Sequence, residues 1–526
     1  MHVCCINFEL NVWRKLNTNH DRRWQILAVL CLSVFLVVVD NTIVNVAIPA
    51  LSQNLHASNS ALQWIVDGYS LPFAGLLLAG AAASDRFGRK RTMQFGLVFF
   101  AIFSTLAAWS TSTSQLISWR ALMGMAAAFI FPATLSILTV VFENPAERAK
   151  AFGFWGATSG AAVAFGPITG GALITHFWFG SIFLVNLPLC VITLLFGYFI
   201  IPESKSPQVQ RFDLLGLLLG SSGLTALLLA IIQGPTWGWK AQTTLLLFAA
   251  SAALLLSFVL WELKRNEPLL DVRLFKRPAF SAGAGSIAIS FFALFGFIFL
   301  VTQYFQLVRG YSALSSGVHT LPFAIVTGIF TPIGASLALK FGARIVVSLG
   351  IAIEGAAIFW MGLLPANAAY FGPVVGSMCM MALGFALIGA SSTAAIMTSL
   401  PPTQIGGGSA VNNVTRELGG TLGVAVVGSV FSSAFGPQII TAFKPSGLPA
   451  AVTTNASSSM QQAVGTLHSL PSALSQQIQP NVISSFMNGF HHGCFVIAGI
   501  AFAVALAVIK PLPGKGKLKE VSASAH

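Results

Sequence analysis

Fourteen stretches of about 20 or more mostly apolar residues constrain this chain more than any other feature. They lie at approximately 26–51, 61–83, 92–111, 115–140, 151–175, 181–201, 214–233, 242–262, 280–308, 315–339, 345–364, 372–396, 413–436 and 488–509. Lipid offers no partner to an exposed backbone N–H or C=O, so each stretch is expected to cross as an α-helix that satisfies its own backbone. An aqueous globular fold is excluded by the same arithmetic: 55% of residues are hydrophobic and 8% are charged, against roughly 25% charge in an ordinary soluble domain. The chain is expected to be an all-α integral membrane protein.

The formal net charge of +13 suggests a nucleic-acid partner only until the basic residues are placed. They sit between the apolar stretches and form no single patch, so no nucleic acid is implied. Cytoplasmic loops retain Lys and Arg, and with the N-terminus inside, the 28 Lys and Arg alternate as fourteen spans require. Internal segments hold Arg14, Lys15, Arg22 and Arg23; Arg86, Arg89, Lys90 and Arg91; Arg148 and Lys150; Lys205 and Arg211; Lys264, Arg265, Arg273, Lys276 and Arg277; Lys340 and Arg344; Arg416; and Lys510, Lys515, Lys517 and Lys519. Only Lys240, Arg309 and Lys444 fall outside, and Arg120 lies within a span. Both termini are therefore expected in the cytoplasm, with tails 1–25 and 510–526 and a long external segment at 437–487. The first apolar run is of full span length without a convincing cleavage site and is expected to remain as helix 1. The cysteines, Cys4, Cys5, Cys31, Cys190, Cys379 and Cys494, show neither disulfide-scaffold nor metal-ligand spacing.

The halves of the chain echo one another. Gly80-Ala-Ala-Ala-Ser-Asp-Arg-Phe-Gly88 after span 2 parallels Gly334-Ala-Ser-Leu-Ala-Leu-Lys-Phe-Gly342 after span 10. Repeats of this kind point to two six-helix bundles, 26–201 and 280–509, that can rock about a central pathway. Spans 7 and 8, within a linker at 202–279, are left over. Between Asp213 and Glu262 their apolar stretches hold no ionisable residue, so they are expected to face lipid.

Chemistry can only be where a charge is kept inside the membrane, because such a charge is costly and normally faces protein or water. Asp40 lies 14 residues after Ile26, about 21 Å along helix 1. Asp67 stands in the outer half of span 2, Arg120 near the outer end of span 4, Glu354 mid-way along span 11, and Arg416 with Glu417 nearer the cytoplasmic end of span 13. A carboxylate stripped of water binds a proton more readily, and a neighbouring cation or cationic cargo opposes this. Proton and cargo then compete, which lets a gradient drive export without a cofactor. The same carboxylates could instead only lock helices by pairing with Arg120 or with backbone groups. Gly166-Pro167-Ile168-Thr169-Gly170-Gly171 in span 5 offers close packing and a bend, or plain glycine-rich packing. Asp85-Arg86-Phe87-Gly88-Arg89-Lys90 at a helix end reads as a gate or simply as a positive-inside anchor.

These residues resemble the fourteen-span drug/proton antiporter branch of the major facilitator superfamily, the EmrB/QacA type, over nearly the whole chain. Asp40 to Pro49 is similar to that family's helix 1 motif, Asp85 to Arg91 to the loop between helices 2 and 3, and Leu116 to Gly124 to the helix 4 motif whose arginine is linked to proton coupling. Gly153 with Gly166-Pro167 and Gly170-Gly171 resembles the helix 5 antiporter motif, and Trp64-Ile-Val-Asp67-Gly-Tyr69 resembles exporters that carry a helix 2 carboxylate. Phe212-Asp213-Leu-Leu-Gly216, Pro268 to Asp271, and Gly406 to Gly423 match further landmarks. The sequence departs from these motifs at Ala81, Ala83 and Ala162.

The resemblance implies a proton-coupled antiporter of the plasma membrane that exports lipophilic, cationic compounds. It implies proton coupling at Asp40 and Arg120 and cargo contacts at Asp67 and Glu354. Gating would fall to Asp85, Arg86, Gly88 and Arg89 at the cytoplasmic face and to Gly166, Pro167, Gly170 and Gly171 in helix 5. The alternative is an exporter dedicated to one metabolite, antibiotic or siderophore; a periplasmic adaptor stays an open question. A membrane-embedded enzyme is disfavoured, since the chain holds neither a phosphate loop nor His-Glu-x-x-His. His491-His492, adjacent on one helix, point to different sides and make a poor metal pair.

Overall fold

The computed structural model describes residues 2–55, 59–205, 213–265, 268–398, 400, 405–458 and 460–514. Arg211, Phe212, Lys515, Lys517 and Lys519 lie outside the described residues. The helices of the first half are α1 (His2–Leu55), α2 (Asn59–Gly75), α3 (Leu77–Phe87), α4 (Arg89–Ala108), α5 (Thr113–Val141), α6 (Pro145–His176), α7 (Ser181–Leu184) and α8 (Asn186–Ile200). Then come α9 (Leu214–Trp237) and α10 (Gln242–Lys264). The second half holds α11 (Pro278–Gln303), α12 (Ala313–His319), α13 (Leu321–Phe341), α14 (Ala343–Met361), α15 (Val375–Thr398), α16 (Ile405–Ala442), α17 (Ala450–Ser457), α18 (Met460–His468) and α19 (Ser472–Ala507). Among the described residues thirteen helices are long and apolar enough to cross a membrane, and α2 with α3, bent by 47° at Leu76, makes up to fourteen if the bent pair is one span. The bend follows Pro72, which has no N–H to continue the ladder. Polar side chains start the helices where apolar sequence alone would leave the boundary open: Ser112 accepts from Gln115 N, Asn144 from Ala146 N and Asp213 from Gly216 N.

Helices α1 to α8 pack among themselves, as do α11 to α19, giving two bundles. The repeat is visible in the backbone. Gly88 (φ 107°) and Gly342 (φ 91°) adopt the same positive φ at matching helix junctions. Gly80 presses on the carbonyl of Ala128 in α5, and Gly334 meets the backbone of Ala386 and Leu387 in α15. A Cβ has no room at either place.

At the end that bears the Lys/Arg-rich loops the bundles share one apolar core, in which Phe280, Ile287, Ala335, Ile396 and Val411 of the second bundle are buried with the first. Helix α16 packs on α3, the half of the bent span nearest those loops, far more than on α2. Ser409 Oγ donates to the Pro132 carbonyl across the seam at 2.9 Å. The molecule is therefore closed at this end.

One expectation needs correction. Span 7 does not simply face lipid: α9 wedges against α2, α3 and α16, with Leu224 buried beside Leu78, Ala81 and Ala410. Trp239, in the turn after α9, donates to Ser429 of α16 at 3.1 Å. Helix α10 packs mainly on α9 and presents Leu245, Leu246, Leu256 and Leu260 outward. Most of the expected external segment 437–487 is helical. Helix α16 runs to Ala442 and α19 begins at Ser472, with α17 and α18 packed between them. Polar Ser and Gln end a hydropathy span but not a helix, which can extend past the lipid into water.

Candidate functional site

Side chains from five helices of the first bundle converge on one network around an ion pair. Arg120 Nη1 of α5 donates to Asp40 Oδ2 of α1 at 2.6 Å, and both side chains are fully buried. Asn186, the first residue of α8, donates to the other carboxylate oxygen, Oδ1, at 2.7 Å and to Ser104 Oγ of α4 at 3.1 Å. Ser104 in turn donates to the Phe183 carbonyl at 2.8 Å. Arg120 Nε donates to the Ile65 carbonyl at 3.2 Å, and the guanidinium lies 4.3 Å over the Tyr69 ring of α2. Tyr69 Oη reaches back to the Val37 carbonyl of α1 at 3.3 Å. Two buried polar atoms in this network, Arg120 Nη2 and Asn186 Oδ1, have no hydrogen-bond partner. A carboxylate held by one cation and one amide is a group whose bonding changes as a unit when a proton arrives.

The remaining carboxylates lie elsewhere. Asp67 is half-buried on α2, two residues from both Ile65 and Tyr69. Glu354 is fully buried on α14, where it accepts from Ser290 Oγ of α11 at 2.8 Å and its Oε2 has no partner. Gly384 of α15 makes room for it, since a Cβ there would come within 2.7 Å of Glu354 N. Helix α14 packs on α11, α13, α15 and α19, so Glu354 points into its own bundle and does not face Asp67 across the seam.

At the Lys/Arg-rich end, Arg89 pairs with Asp85 at 3.0 Å, and Arg89 N donates to the Ser204 carbonyl at 2.8 Å. Glu203 accepts from the backbone N–H groups of Lys90 and Arg91 at 3.2 Å each and lies 3.7 Å from the Arg91 side chain. It thereby satisfies the exposed donors at the start of α4, where a negative charge also meets the helix dipole. Gly88 is required twice, by its positive φ and because a Cβ would come within 2.5 Å of Glu203 Oε1. Arg86 stands nearby, its guanidinium 5.7 Å over Phe87. On α6, Gly166 and Gly170 let Thr42 and Ile43 of α1 approach, whereas Gly153, Gly160 and Gly171 face Pro332, Thr327 and Leu314 of the second bundle. Pro167 with Ile168 packs on Gly317 of α12. One helix thus carries close packing within its bundle and across the seam.

Sequence reasoning missed Asn186 and Glu203, and it placed Arg416 with the loop cations. Arg416 is instead buried between the bundles, its guanidinium 4.6 Å over the Trp155 ring of α6 and 4.9 Å over Phe291 of α11. An arginine inside an apolar run was the available signal. His491 and His492 have separate partners, the Leu364 and Asn488 carbonyls.

The sequence profile of the Major Facilitator Superfamily matches residues 30–424. The chain is 32% identical over 490 residues to the multidrug efflux pump LfrA of Mycolicibacterium smegmatis, covering 93% of this chain and 96% of that protein. It is 33% identical over 465 residues to the methyl viologen resistance protein SmvA of Salmonella typhimurium, covering 87% and 92%. The proton:xylose symporter XylE shares the fold, with a TM-score of 0.58 at 16% identity over 97% of this chain and all of that one.

Proposed function

The chain belongs to the Major Facilitator Superfamily, is a multi-pass membrane protein and is a transporter rather than an enzyme, and from that premise we propose that it exports lipophilic, cationic compounds in exchange for protons, without any cofactor. The observation that carries this reading is the buried Asp40–Arg120 pair with Asn186 on the second carboxylate oxygen. A proton reaching Asp40 removes the charge that Arg120 holds, and the guanidinium keeps only the Ile65 carbonyl and the Tyr69 face. The names of LfrA and SmvA support small toxic molecules as cargo, and methyl viologen is a dication.

In this scheme the Lys/Arg-rich end is cytoplasmic, with both termini there, and the protein sits in the plasma membrane. Asp85, Arg86, Gly88 and Arg89 would steady that end while the bundles rock, and Gly166, Pro167, Gly170 and Gly171 would let α6 slide at the seam. Asp67 would meet cargo from the outer half of α2. Glu354, enclosed in its bundle, would contribute only when the bundle rearranges.

The test uses inverted membrane vesicles energised to an acid interior, with proton efflux followed on addition of a lipophilic cation. The parent is expected to release protons and Asp40→Asn is not. A well-expressed parent that releases none with a panel of such cations would leave an exporter dedicated to one metabolite, antibiotic or siderophore as the better account.

A further inference from the structure

The exchange scheme leaves one buried charge unused. Arg416 lies 11 residues into α16, about 16 Å along it at 1.5 Å per residue. Its side chain is buried, its Nε has no hydrogen-bond partner, and among the described residues the carboxylate that acts on it, the adjacent Glu417, does so without a direct ion pair. A buried guanidinium is ordinarily held by a carboxylate with two parallel hydrogen bonds. Here two aromatic faces hold it, and they come from opposite bundles: Trp155 of α6 at 4.6 Å and Phe291 of α11 at 4.9 Å.

Each ring is fixed by its own bundle, independently of Arg416. Trp155 Nε1 donates to Thr134 Oγ1 at 3.1 Å, and the indole meets Phe131 edge-on at 5.5 Å. Phe291 packs on Phe385 at 5.4 Å and stacks on Phe295. The two faces are therefore prepared in advance, and a flat, weakly hydrated cation suits them whether it is a guanidinium or an aromatic ammonium. Two π faces and the nearby charge of Glu417 hold the arginine head group without a direct ion pair, so another cation of that kind can replace it.

We propose that the Trp155 and Phe291 faces form the binding site for planar aromatic cations and that Arg416 is a tethered occupant which the cargo displaces. This rests on the export reading above and names its site. While the bundles hold the two rings together, cargo takes both faces and Arg416 swings clear. When cargo has left, the guanidinium returns, covers both rings and opposes rebinding from the same side. Because one ring belongs to each bundle, the site is complete only when the bundles approach each other here.

The test is equilibrium binding of ethidium, a planar aromatic cation, to the full-length purified protein, read by fluorescence anisotropy. Trp155→Ala and Phe291→Ala are expected to weaken binding about tenfold, the worth of one desolvated cation–aromatic contact. Trp155→Phe should retain most of it. Arg416→Gln, which removes the internal competitor, should tighten binding several-fold. Arg416→Lys should fall between parent and Arg416→Gln, because a compact hydrated ammonium holds the rings less well; it preserves the charge should Arg416→Gln not fold. A structural role for Arg416 predicts the reverse, with weaker binding in both variants. Unchanged or weaker binding in both, in a parent that binds ethidium and exchanges it for protons, overturns this inference and leaves the export reading intact. A parent that neither binds ethidium nor exchanges any lipophilic cation overturns both.

Discussion

Separating Asp40 from Arg120 should cost different amounts depending on which partner is removed. The pair is fully buried, with Nη1 and Oδ2 2.6 Å apart, and removing one member of such a pair is worth about 3–5 kcal/mol because the other is left without compensation. Asp40→Asn leaves Arg120 with the Ile65 carbonyl, the Tyr69 face and an already orphaned Nη2. A guanidinium cannot shed its proton, so this variant should sit at the upper end of that range. Arg120→Gln leaves Asp40 bonded to Asn186, and a carboxyl without its cation can become neutral by taking up a proton. The loss should be smaller, about 1–3 kcal/mol. The double variant restores a neutral pair, so the two losses should fall short of additivity by about 2–3 kcal/mol. SDS-titration unfolding of the four proteins, followed by circular dichroism, measures the cycle. Additive losses, or an Arg120→Gln variant less stable than Asp40→Asn, would refute the argument that this is one uncompensated buried pair.

Three further outcomes follow from the packing. Gly80→Ala forces a Cβ onto the Ala128 carbonyl, whereas Gly285 and Gly389 have nothing within 4 Å of theirs; the first should lose about 1–3 kcal/mol and the other two remain close to the parent in the same titration. Glu203→Ala removes the acceptor for Lys90 N and Arg91 N, and since Glu203 is partly exposed the loss should be near 1 kcal/mol, with faster proteolysis of the loop at Gly88 as its readout. Cysteines at Gly153 and Pro332, placed in a background lacking the six native ones, have a Cβ separation near 3.4 Å, within reach of a disulfide. Oxidation should lock the closed end and stop transport, and a reductant should restore it; transport unaffected by a formed crosslink would mean that this part of the seam never opens.

Much of the site was legible as isolated residues. Asp40 and Arg120 stood out because a charge within an apolar run is costly and needs a reason, and Gly88 was marked by its echo at Gly342. The partners that give those residues their chemistry were not legible. Asn186 and Ser104 are ordinary polar residues in sequence, and they matter only because α8 brings Asn186 to the Asp40 carboxylate and α4 brings Ser104 to Asn186. Glu203 lies 113 residues from the Lys90 N–H it accepts from, and no local pattern connects them. Arg416 was visible, but its position near a span boundary made it look like one more loop cation until α6 and α11 supplied the rings on either side of the seam.

Hydropathy, charge alternation and the glycine repeat by themselves determined an all-α membrane chain with 13 to 14 candidate crossings among the described residues, two bundles and the charges that lipid makes costly. Each of these follows from the free energy of moving a segment or a charge into lipid, which depends on composition along the chain. Which face of a helix meets which neighbour was decided only in three dimensions. Lipid tails are as apolar as leucine, so a helix that fills the seam, like α9, has the same hydropathy as one that faces the bilayer, like α10. The separation of those two helices rests on close contacts such as Gly75 against Thr225, and contacts of that kind exist only once the bundles have packed.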